Sequence, residues 1–518
     1  MNLTFEKGYD DYTDSVGWRK VYEEARRFSA RLTRESAGTM DDEELLSAME
    51  QLEELIRYYG YRQDLRSLEP IMAKMNMLLS LGRDRKLNRV EFTYFQLITH
   101  RMTALQLLAD RKFRQAAESY SACLEIARIC VQQLKSAALT DEQKLYVGFN
   151  CVECWREGAS ACDSAGMIPQ TLEWTRELIP LLDWLDPLLL DAPGICDKIA
   201  DLSLSMGGTM TQHGDSENGN LCFDRSIRLF NSLDVFYGSD FYKARGIWAG
   251  CSQGLQEFLM KGDPTRMLKF EQQAEQYLQE RSGAEPRDKA IVLGCQGMIN
   301  VQKSVVFQQS GQLRQAIQAG TQARKQLKQA LNTLEANYQS LQGYNRSVVY
   351  AIAGRVYNSY VGAMESLGIQ LYQNEQYAQA KEVLTETLTL LETSRDYQVP
   401  EAAAVMVRAE MCQYLALVYS EEGDLFQMDS YAAQGVDLAI PLAEQTGNPA
   451  VWDIAVVCCG LTSETSLIRK NKPRAKEYAE KGLNALQKLA ALVPDHPRLS
   501  LRSNLETTLK KASRKFFW

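Results

Sequence analysis

The stretch "LGIQLYQNEQYAQAKEVLTETL", from Leu367 to Leu388, has the hydrophobic and polar pattern of two helices separated by a short turn. Small and apolar residues recur at helical spacing on both sides of a polar run, Asn374 to Gln376. The pattern predicts an antiparallel helical hairpin. Such a hairpin has one apolar face that it cannot bury by itself, so the question is whether the chain supplies further copies.

Comparable polar turns recur along most of the chain. With Glu375 as the reference position, the corresponding turn residues are Gly60, Arg111, Gly166, Gly214, Gly262, Gly311, Gly423 and Lys470. The nine turns are separated by 51, 55, 48, 48, 49, 64, 48 and 47 residues. This regularity predicts a repeat array of about nine hairpins, in which stacking of neighbours completes the hydrophobic core.

Small residues flank these turns at fixed distances. Seven residues before the turn position, seven of the nine copies have Gly, Ala or Ser, and Glu53 and Leu255 are the exceptions. Five residues after it stand Ala116, Thr171, Gly219, Ala316, Ala380 and Ala475, with Leu65, Met267 and Met428 as larger exceptions. Small side chains at both positions let the two helix backbones approach closely. Glycine at the turn itself supplies the left-handed conformation that ends the first helix.

These features resemble the tetratricopeptide repeat (TPR) superfamily in a long-repeat variant of about 48 residues. The family pattern is matched at Ala104, Phe113, Ala116, Tyr120, Cys123 and Leu124, again at Leu367, Gly368, Tyr377, Ala380, Leu384 and Leu388, and in part at Ala416, Tyr419, Gly423, Asp424 and Leu425. The resemblance runs from about Asp41 to Leu492. It implies an all-α fold, a right-handed α-solenoid of about nine TPR-like helical hairpins with helical caps. HEAT-type repeats, with units of ~40–47 residues, are the architectural alternative.

The repeat register sets the expected domain organisation. Residues 1–40 are predicted to form an N-terminal capping region with a helix from about Gly17 to Thr33. Residues 41–492 are predicted to form the repeat array, and residues 493–518 a basic C-terminal capping region with a helix from about Leu499 to Lys515. Each repeat of about 48 residues implies helices of roughly 20 residues, which is about 30 Å of helix.

One repeat is longer than the others. The interval of 64 residues between Gly311 and Glu375 holds about 16 extra residues and predicts an elongated hairpin around residues 325–373. Five tyrosines fall there: Tyr338, Tyr344, Tyr350, Tyr357 and Tyr360. They are explained either by packing between the longer helices or by a surface that contacts a partner.

Composition and charge narrow the class of protein. The chain has 518 residues, a net charge of -8 and no apolar leader at its N-terminus, and its most apolar stretch, Leu178 to Gly194, is broken by aspartates and prolines. The twelve cysteines show no disulfide-framework spacing. We therefore expect a cytoplasmic protein that makes no membrane contact.

The charge is unevenly distributed along the chain. From Arg469 to Trp518 there are 13 Lys and Arg residues against 4 Asp and Glu residues, a balance of +9. A polar cap on the last repeat explains this segment, and docking of an acidic partner is the alternative. The overall acidity and the lack of a helix-turn-helix signature do not favour nucleic acid. Phe516, Phe517 and Trp518 are expected to fold back on the last hairpin or to meet a partner.

The sequence offers no recognisable catalytic or metal site. Its three histidines lie in different parts of the chain, and there is no HExxH, Walker-type, GxSxG or EF-hand motif. The pair Cys151 and Cys154 lacks both a second pair for zinc and a βαβ context for redox chemistry. One shared packing position, eleven residues before the turns, instead accounts for large or soft side chains at Met49, His100, Trp155, Cys251, Met364, Cys412 and Cys459. We expect neither a cofactor nor a metal, and no enzymatic activity.

The function implied by the resemblance is recognition of another protein or peptide on the inner face of the array. The first helices of the hairpins offer a mixed, partly acidic set there: Glu153, Arg156, Asp201, Ser252, Gln256, Glu365, Tyr372 and Gln413. This set does not match the lysine and asparagine clamp with which some family members hold a peptide C-terminus, and a basic or mixed-polarity segment suits it better. The residues predicted to contact the partner are Arg156, Gln256, Tyr372 and Gln413.

Two other functions stay open from the sequence. One is a peptide- or effector-responsive regulatory sensor without its own DNA-binding domain. The other is an all-helical enzyme, which no catalytic grouping supports. The identity of the partner, the pathway and the oligomeric state do not follow from these patterns, nor does the choice between the tyrosine-rich hairpin and the basic C-terminus as a contact surface.

Overall fold

A computed structural model describes residues 16–61, 64–281, 283–338, 340–341, 343–393 and 401–513. The predicted contacts of Phe516, Phe517 and Trp518 lie outside these residues. The helices in the described part are α1 Val16–Arg31, α2 Arg34–Gly38, α3 Asp42–Tyr61, α4 Leu65–Asp84, α5 Val90–Ala109, α6 Phe113–Ser136, α7 Asp141–Ser164, α8 Ile168–Leu185, α9 Pro193–Gln212, α10 Ser216–Tyr237, α11 Asp240–Lys261, α12 Thr265–Glu280, α13 Pro286–Gln309, α14 Leu313–Tyr338, α15 Gly343–Gln373, α16 Tyr377–Thr393, α17 Glu401–Glu422, α18 Leu425–Thr446, α19 Pro449–Ile468, α20 Lys472–Leu492 and α21 Arg502–Ser513. Short 3-10 helices cover Asp186–Asp191 and Pro497–Leu501.

Helices α3 to α20 pair in sequence as nine hairpins within the described residues, the first pair being α3 with α4 and the last α19 with α20. The repeated helical hairpin predicted from the turn spacing is thereby confirmed. We call the odd-numbered member of each pair its first helix. Contacts divide the chain into two compact units, Met1–Gln273 with Leu341–Ser347, and Ala274–Ser340 with Val348–Trp518. They are called the first and second unit below.

The turn residues identified from the sequence adopt the expected backbone conformation. Eight of the nine predicted positions have a positive φ, from 58° at Arg111 to 88° at Gly214. Each of these residues lies one or two residues after the end of a first helix, where a left-handed residue lets the chain reverse. The prediction is wrong at Gly60, which lies inside α3 one residue before its end.

The small residues before and after the turns bring the paired helices together. At Gly219 in α10, an added Cβ would lie 3.0 Å from the carbonyl oxygen of Gly207 in α9. In the hairpin of α13 and α14, the Ser304 hydroxyl donates a hydrogen bond of 2.9 Å to the carbonyl oxygen of Ala316. Backbones this close leave no space for larger side chains, which explains the sequence pattern.

The shared packing position before the turns is occupied as predicted in six of its seven copies. Met49, Trp155, Cys251, Met364, Cys412 and Cys459 are all buried. The prediction is wrong at His100, which is exposed. All twelve cysteines are buried and unbridged. They fill core positions as small apolar side chains.

The two longest described helices, α14 with 26 residues and α15 with 31, cover the region predicted as one elongated hairpin, but they belong to two successive hairpins, α13 with α14 and α15 with α16. Tyr357 and Tyr360 are buried in the second unit, and the Tyr360 hydroxyl donates a 3.1 Å hydrogen bond to Glu386. Tyr350 is on the exposed side, with its ring centroid 5.8 Å from that of Tyr338. Packing thus explains Tyr357 and Tyr360, and the Tyr344 side chain lies outside the described residues.

Two helices of the second unit, Pro286–Gln309 and Pro449–Ile468, are long and apolar enough to span a membrane by length and composition. Both are first helices of hairpins. The second packs its apolar residues, Trp452 among them, into a core cluster with α18 and α20. Such burial is the ordinary reason for an apolar helix in a helical repeat.

Candidate functional site

The four side chains predicted to contact a partner lie on four different first helices. Arg156 on α7 and Gln256 on α11 belong to the first unit, and Tyr372 on α15 and Gln413 on α17 belong to the second. Arg156 keeps 43% of its side chain exposed, and Gln256 and Tyr372 are half-buried. Gln413 is only 3% exposed and so offers almost no surface to a partner.

A cavity of about 650 Å³ opens between the first helices of three successive hairpins in the first unit. Its walls come from α3, α5 and α7, with Leu68 of α4 at one side. The cavity is lined by Arg57, Gly60, Leu68, Ile98, Arg101, Met102, Leu105, Gln106, Leu108, Ala109, Asp110, Asn150, Glu153, Arg156 and Glu157. Arg156 is therefore the predicted contact residue that the structure places in this concave site.

The helical period sorts the lining into an apolar wall and a polar wall. On α5, Ile98, Leu105 and Leu108 follow one another at spacings of seven and three residues, which keeps them on one side of the helix. On α7, Asn150, Glu153 and Glu157 recur at spacings of three and four residues. Arg101 lies on the same side of α5, between Ile98 and Leu105, but its guanidinium extends to Glu157 on α7. A ligand in the cavity would therefore meet aliphatic side chains of α5 and charged groups gathered at α7.

The polar wall is organised around Arg101, whose side chain is 7% exposed. Its Nε and Nη2 atoms donate hydrogen bonds of 2.8 and 2.6 Å to the two carboxylate oxygens of Glu157. Its Nη1 atom donates to Asn150 at 3.2 Å, and its Nη2 atom also reaches Glu153 at 3.4 Å. This bidentate geometry fixes a guanidinium that burial would otherwise destabilise.

Arg156 and Tyr120 complete this network. Arg156 donates from Nε and Nη2 to the two carboxylate oxygens of Glu153, at 2.9 and 2.8 Å, and from Nη2 to Glu157 at 3.3 Å. The Tyr120 hydroxyl donates to Glu157 at 3.0 Å. Two arginines and two glutamates thus form a neutral, mutually hydrogen-bonded group of four.

The pKa shifts in this network have identifiable causes. Burial alone would raise the pKa of Glu153, but the charges and hydrogen bonds of Arg156 and the charge of Arg101 outweigh it and lower that pKa. Burial, followed by the charge of Glu157, raises the pKa of the Tyr120 hydroxyl. Glu153 therefore stays ionised and Tyr120 stays a hydrogen-bond donor at neutral pH.

A second buried carboxylate, Glu53, supports the α3 side of the cavity. Its Oε1 atom accepts hydrogen bonds from the hydroxyls of Tyr94 and Tyr146, the latter at 3.1 Å. Arg57 donates to the same oxygen from Nε at 3.0 Å and from Nη2 at 2.8 Å, and its guanidinium lies 4.6 Å from the centroid of the Tyr146 ring. These contacts hold Arg57 in place on the cavity lining.

A smaller cavity, of about 240 Å³, lies on the other side of α7. Arg156 lines both cavities. The smaller cavity is lined by Trp155, Arg156, Ala159, Ser160, Asp163, Thr171, Thr175, Leu178, Leu202, Ser205, Met206 and Thr209. Five of these side chains carry hydroxyl groups, so this cavity is considerably more polar than the apolar wall of the larger one.

In the second unit, Tyr372 belongs to an aromatic group. Its ring centroid lies 5.8 Å from that of Tyr377 and 5.6 Å from that of Tyr414. Glu365, seven residues or about two helical turns before Tyr372 on α15, is hydrogen-bonded to Glu410 on α17. Burial, followed by that hydrogen bond, raises the pKa of Glu365 to about 8.

Sequence reasoning missed Arg101, Glu157 and Glu53 as parts of the site. Two signals were available for them. Arg101 stands at helical spacing between the apolar residues Ile98 and Leu105 of α5, and Glu53 is an exception at a position where seven of nine repeats carry a small residue. A charged residue at a core position predicts a buried partner, but the sequence does not say which of the many acidic residues that partner is.

No group of three or more His, Cys, Asp or Glu side chains in the described residues is arranged to hold a metal ion. The side chains at the two cavities are suited to hydrogen bonding, ion pairing and apolar contact.

Comparison with known proteins shows only distant likeness. No protein-family model and no curated protein matches the sequence. Among solved structures, the apo form of the quorum sensor NprR from B. thuringiensis shares 13% identity, covering 86% of this chain and all of that one, with a TM-score of 0.38. A signal transduction ATPase with a tetratricopeptide repeat sensor, PH0952 from Pyrococcus horikoshii, shares 13% identity over 97% of this chain and 69% of its own, with a TM-score of 0.39. Yeast Tom70 shares 11% identity, covering 80% of this chain and 95% of its own, with a TM-score of 0.21.

Proposed function

We propose that this protein is a binding module that recognises a protein or peptide segment on the inner face of its hairpins, with the larger cavity of the first unit as the main contact site. The observation that carries the proposal is that cavity, because it combines an apolar wall on α5 with a fixed polar wall on α7. Volumes of 300–1,000 Å³ are typical of sites that hold a ligand.

The polar wall favours binding because it is ordered before any partner arrives. Arg101 and Glu157 are already fixed by their own hydrogen bonds, so a ligand would not have to immobilise them. Preorganised groups reduce the entropic cost of association, which for protein partners is several kcal/mol. The apolar wall would supply the driving force, at about 25 cal/mol for each Å² of apolar surface buried.

The proposal includes the expectations drawn from the sequence. We take the protein to act in the cytoplasm, on a protein or peptide and not on a membrane or a nucleic acid, and without catalysis of its own. The alternative function is that of a sensor that answers to a small effector. The volume of the larger cavity favours that alternative too, since it would hold a drug-sized molecule.

The experiment is a selection of binding peptides from a random 12-residue display library on the full-length protein. Enriched sequences are synthesised and their affinities measured by titration calorimetry. We expect a recurrent sequence motif, with affinity lost when the apolar wall is made polar by Leu105→Asp. Ala378→Asp is the control, because Ala378 is an exposed helical residue of the second unit.

Two results would count against the proposal. A library that gives no enriched motif on the wild-type protein argues against peptide recognition and favours the small effector, to be sought among molecules that copurify with the chain. A motif whose affinity is unchanged by Leu105→Asp places the binding site outside the cavity.

A further inference from the structure

Arg156 occupies a distinctive position, on the ridge of α7 between two cavities of different chemistry. The larger cavity borders it on the side of α5, and the smaller cavity on the side of α8 and α9. Its guanidinium is held by Glu153 through Nε and Nη2. Within the described part of the chain, its Nη1 atom has no hydrogen-bond partner, and 43% of the side chain is exposed.

We infer that the partner is a peptide segment that crosses α7, placing a bulky apolar side chain in the larger cavity and a small polar side chain in the smaller one, with a backbone carbonyl accepting from Arg156 between them. This inference rests on the proposed function and specifies the chemistry of the segment. Each of its three parts follows from a different set of contacts.

The charge balance of the larger cavity selects an uncharged side chain. Arg57, Arg101 and Arg156 face Asp110, Glu153 and Glu157, so the lining is neutral. Most of these charges are already paired with one another. A charged side chain would have to give up its water without gaining an unpaired counter-ion, which is unfavourable. A Leu, Met or Phe side chain would instead bury its surface against Ile98, Leu105 and Leu108.

The smaller cavity selects for size and for hydrogen bonding. Its accessible hydroxyl groups are those of Ser160, Ser205 and Thr209. Thr171 and Thr175 are buried, and they donate to the carbonyl oxygens of Met167 and Thr171, at 3.2 and 2.6 Å. The acid in its lining, Asp163, is paired with His213 at 2.8 Å. A volume of 240 Å³ with such groups suits Ser, Thr or Asn better than a long aliphatic or aromatic side chain.

The ridge between the cavities provides a donor of fixed direction. Because Glu153 holds one edge of the Arg156 guanidinium in a bidentate contact, the opposite Nη1 atom faces away from α7's own carboxylate. A peptide carbonyl is a neutral acceptor, so it would use this donor without disturbing the neutral group of four. The planar arginine fork, and not positive charge as such, is therefore the required feature.

Three variants test the three parts of the inference on the peptides selected with the wild-type protein. Ala109→Phe fills the larger cavity, and Ser205→Leu, at an exposed position of α9, fills the smaller one. Arg156→Lys keeps the charge but removes the fork. Ala378→Phe is the matched filling control on an exposed helix position. The measurement is the dissociation constant of the parent peptide and of peptides with each position changed to alanine.

We expect each filling variant to weaken the parent peptide about tenfold or more, equivalent to about 1.4 kcal/mol. Ala109→Phe should also abolish the benefit of the bulky apolar position, and Ser205→Leu that of the small polar position, whereas Ala378→Phe should change neither. Arg156→Lys should weaken all peptides by a similar factor. This separation by position distinguishes the inference from a general loss of binding.

The outcomes separate the inference from the function on which it rests. If selected peptides bind and Leu105→Asp weakens them, but Ser205→Leu has no effect at any position, the proposed function stands and the two-cavity inference is overturned. If no peptide is selected at all, the proposed function fails first. Circular dichroism and the thermal midpoint of each variant show whether a lost affinity reflects lost folding.

Discussion

The guanidinium of Arg101 and the carboxylate of Glu157 join the first helices of two successive hairpins, α5 and α7, through two hydrogen bonds of 2.8 and 2.6 Å. Both side chains are less than 10% exposed, at 7% and 6%. The same carboxylate accepts from Tyr120 on α6. One buried ion pair thus links three consecutive helices and also forms the polar wall of the larger cavity.

Glu157→Gln should destabilise the first unit strongly. The change leaves Arg101 and Arg156 to share Glu153, so one buried positive charge loses its counter-ion, which costs about 3–5 kcal/mol. We expect a lower midpoint of thermal unfolding, measured by circular dichroism at 222 nm. The double variant Arg101→Met with Glu157→Leu should cost less than Glu157→Gln alone, because it removes both charges.

The exposed pair of Glu477 and Lys481 on α20, at 2.7 Å, provides the control. Glu477→Gln should change the free energy of unfolding by no more than about 0.5 kcal/mol, as is usual for exposed pairs at i and i+4. Equal effects of Glu157→Gln and Glu477→Gln would mean that the Arg101 contact contributes nothing specific.

Two glycines test whether the paired helices α11 and α12 lie too close together for a side chain at their contact. An alanine at Gly254 would place its Cβ 2.7 Å from the Met267 nitrogen and 2.8 Å from its Cα, and backbone atoms cannot move aside as a flexible side chain can. We expect Gly254→Ala to cost about 1–3 kcal/mol. This would happen although alanine is the better helix former by about 1 kcal/mol.

Gly208 in α9 is the matched position, since a Cβ there would meet nothing within 4 Å. Gly208→Ala should therefore stabilise the protein by about 0.5–1 kcal/mol. The measurement is urea denaturation of both variants beside the wild type. Stabilisation by both substitutions would show that α11 and α12 have room to separate, and would refute the close-approach explanation.

The hairpin array could be predicted from the sequence because its cause is local. A left-handed residue is needed wherever a first helix turns into its partner, and Gly166, Gly311 and Gly423 meet that need with little conformational cost. Arg111, Glu375 and Lys470 occupy the same conformation without being glycine. They were recognisable only through the regular spacing of their neighbours. Gly60 misled the prediction because glycine also occurs inside helices.

The site could be predicted only in part, because its cause is not local. Arg156 was identifiable as a polar residue on the inner side of a first helix. The cavity beside it depends on side chains from α3, α5 and α7, over a hundred residues of chain, and on whether they fill the space between the helices. Gln413 shows the converse error: its register position suggested the inner face, but neighbouring packing buries it.

The cysteines should be almost unreactive in the folded protein. All twelve are buried, and burial raises the pKa of the Cys196 and Cys222 thiols to about 12 and that of Cys412 to about 11. Because the thiolate is the reactive form, Ellman's reagent at pH 8 should label the native protein slowly. In 6 M guanidinium chloride, all twelve thiols should react at once. Rapid labelling of two thiols in the native protein would contradict this, and would revive a redox or metal-binding role for Cys151 and Cys154.

The hydrogen-bonded carboxyl pair of Glu365 on α15 and Glu410 on α17 should make the stability of the second unit depend on pH. Burial, then the hydrogen bond and charge of Glu410, raises the pKa of Glu365 from 4.5 to about 8. Between these two values the folded chain holds a proton that the unfolded chain releases. Since the folded state then binds more protons, the free energy of unfolding should fall as the pH rises from about 4.5 to about 8, and should level off above it.

Glu365→Gln isolates this contribution, because an amide can donate the same hydrogen bond to Glu410 without titrating. We expect the thermal midpoint of the second unit to fall between pH 6.5 and 8 in the wild type and to stay level in Glu365→Gln, which should be the more stable protein at pH 8. The range begins at pH 6.5 because of Asp197 in the first unit, whose pKa burial raises to about 6. Above pH 6.5 this carboxyl is mostly ionised, so it adds little further pH dependence to the stability. Glu480→Gln, at an exposed position on α20, should keep the wild-type slope. A slope that persists in Glu365→Gln would assign the pH dependence to another group and leave the carboxyl pair without a shared proton.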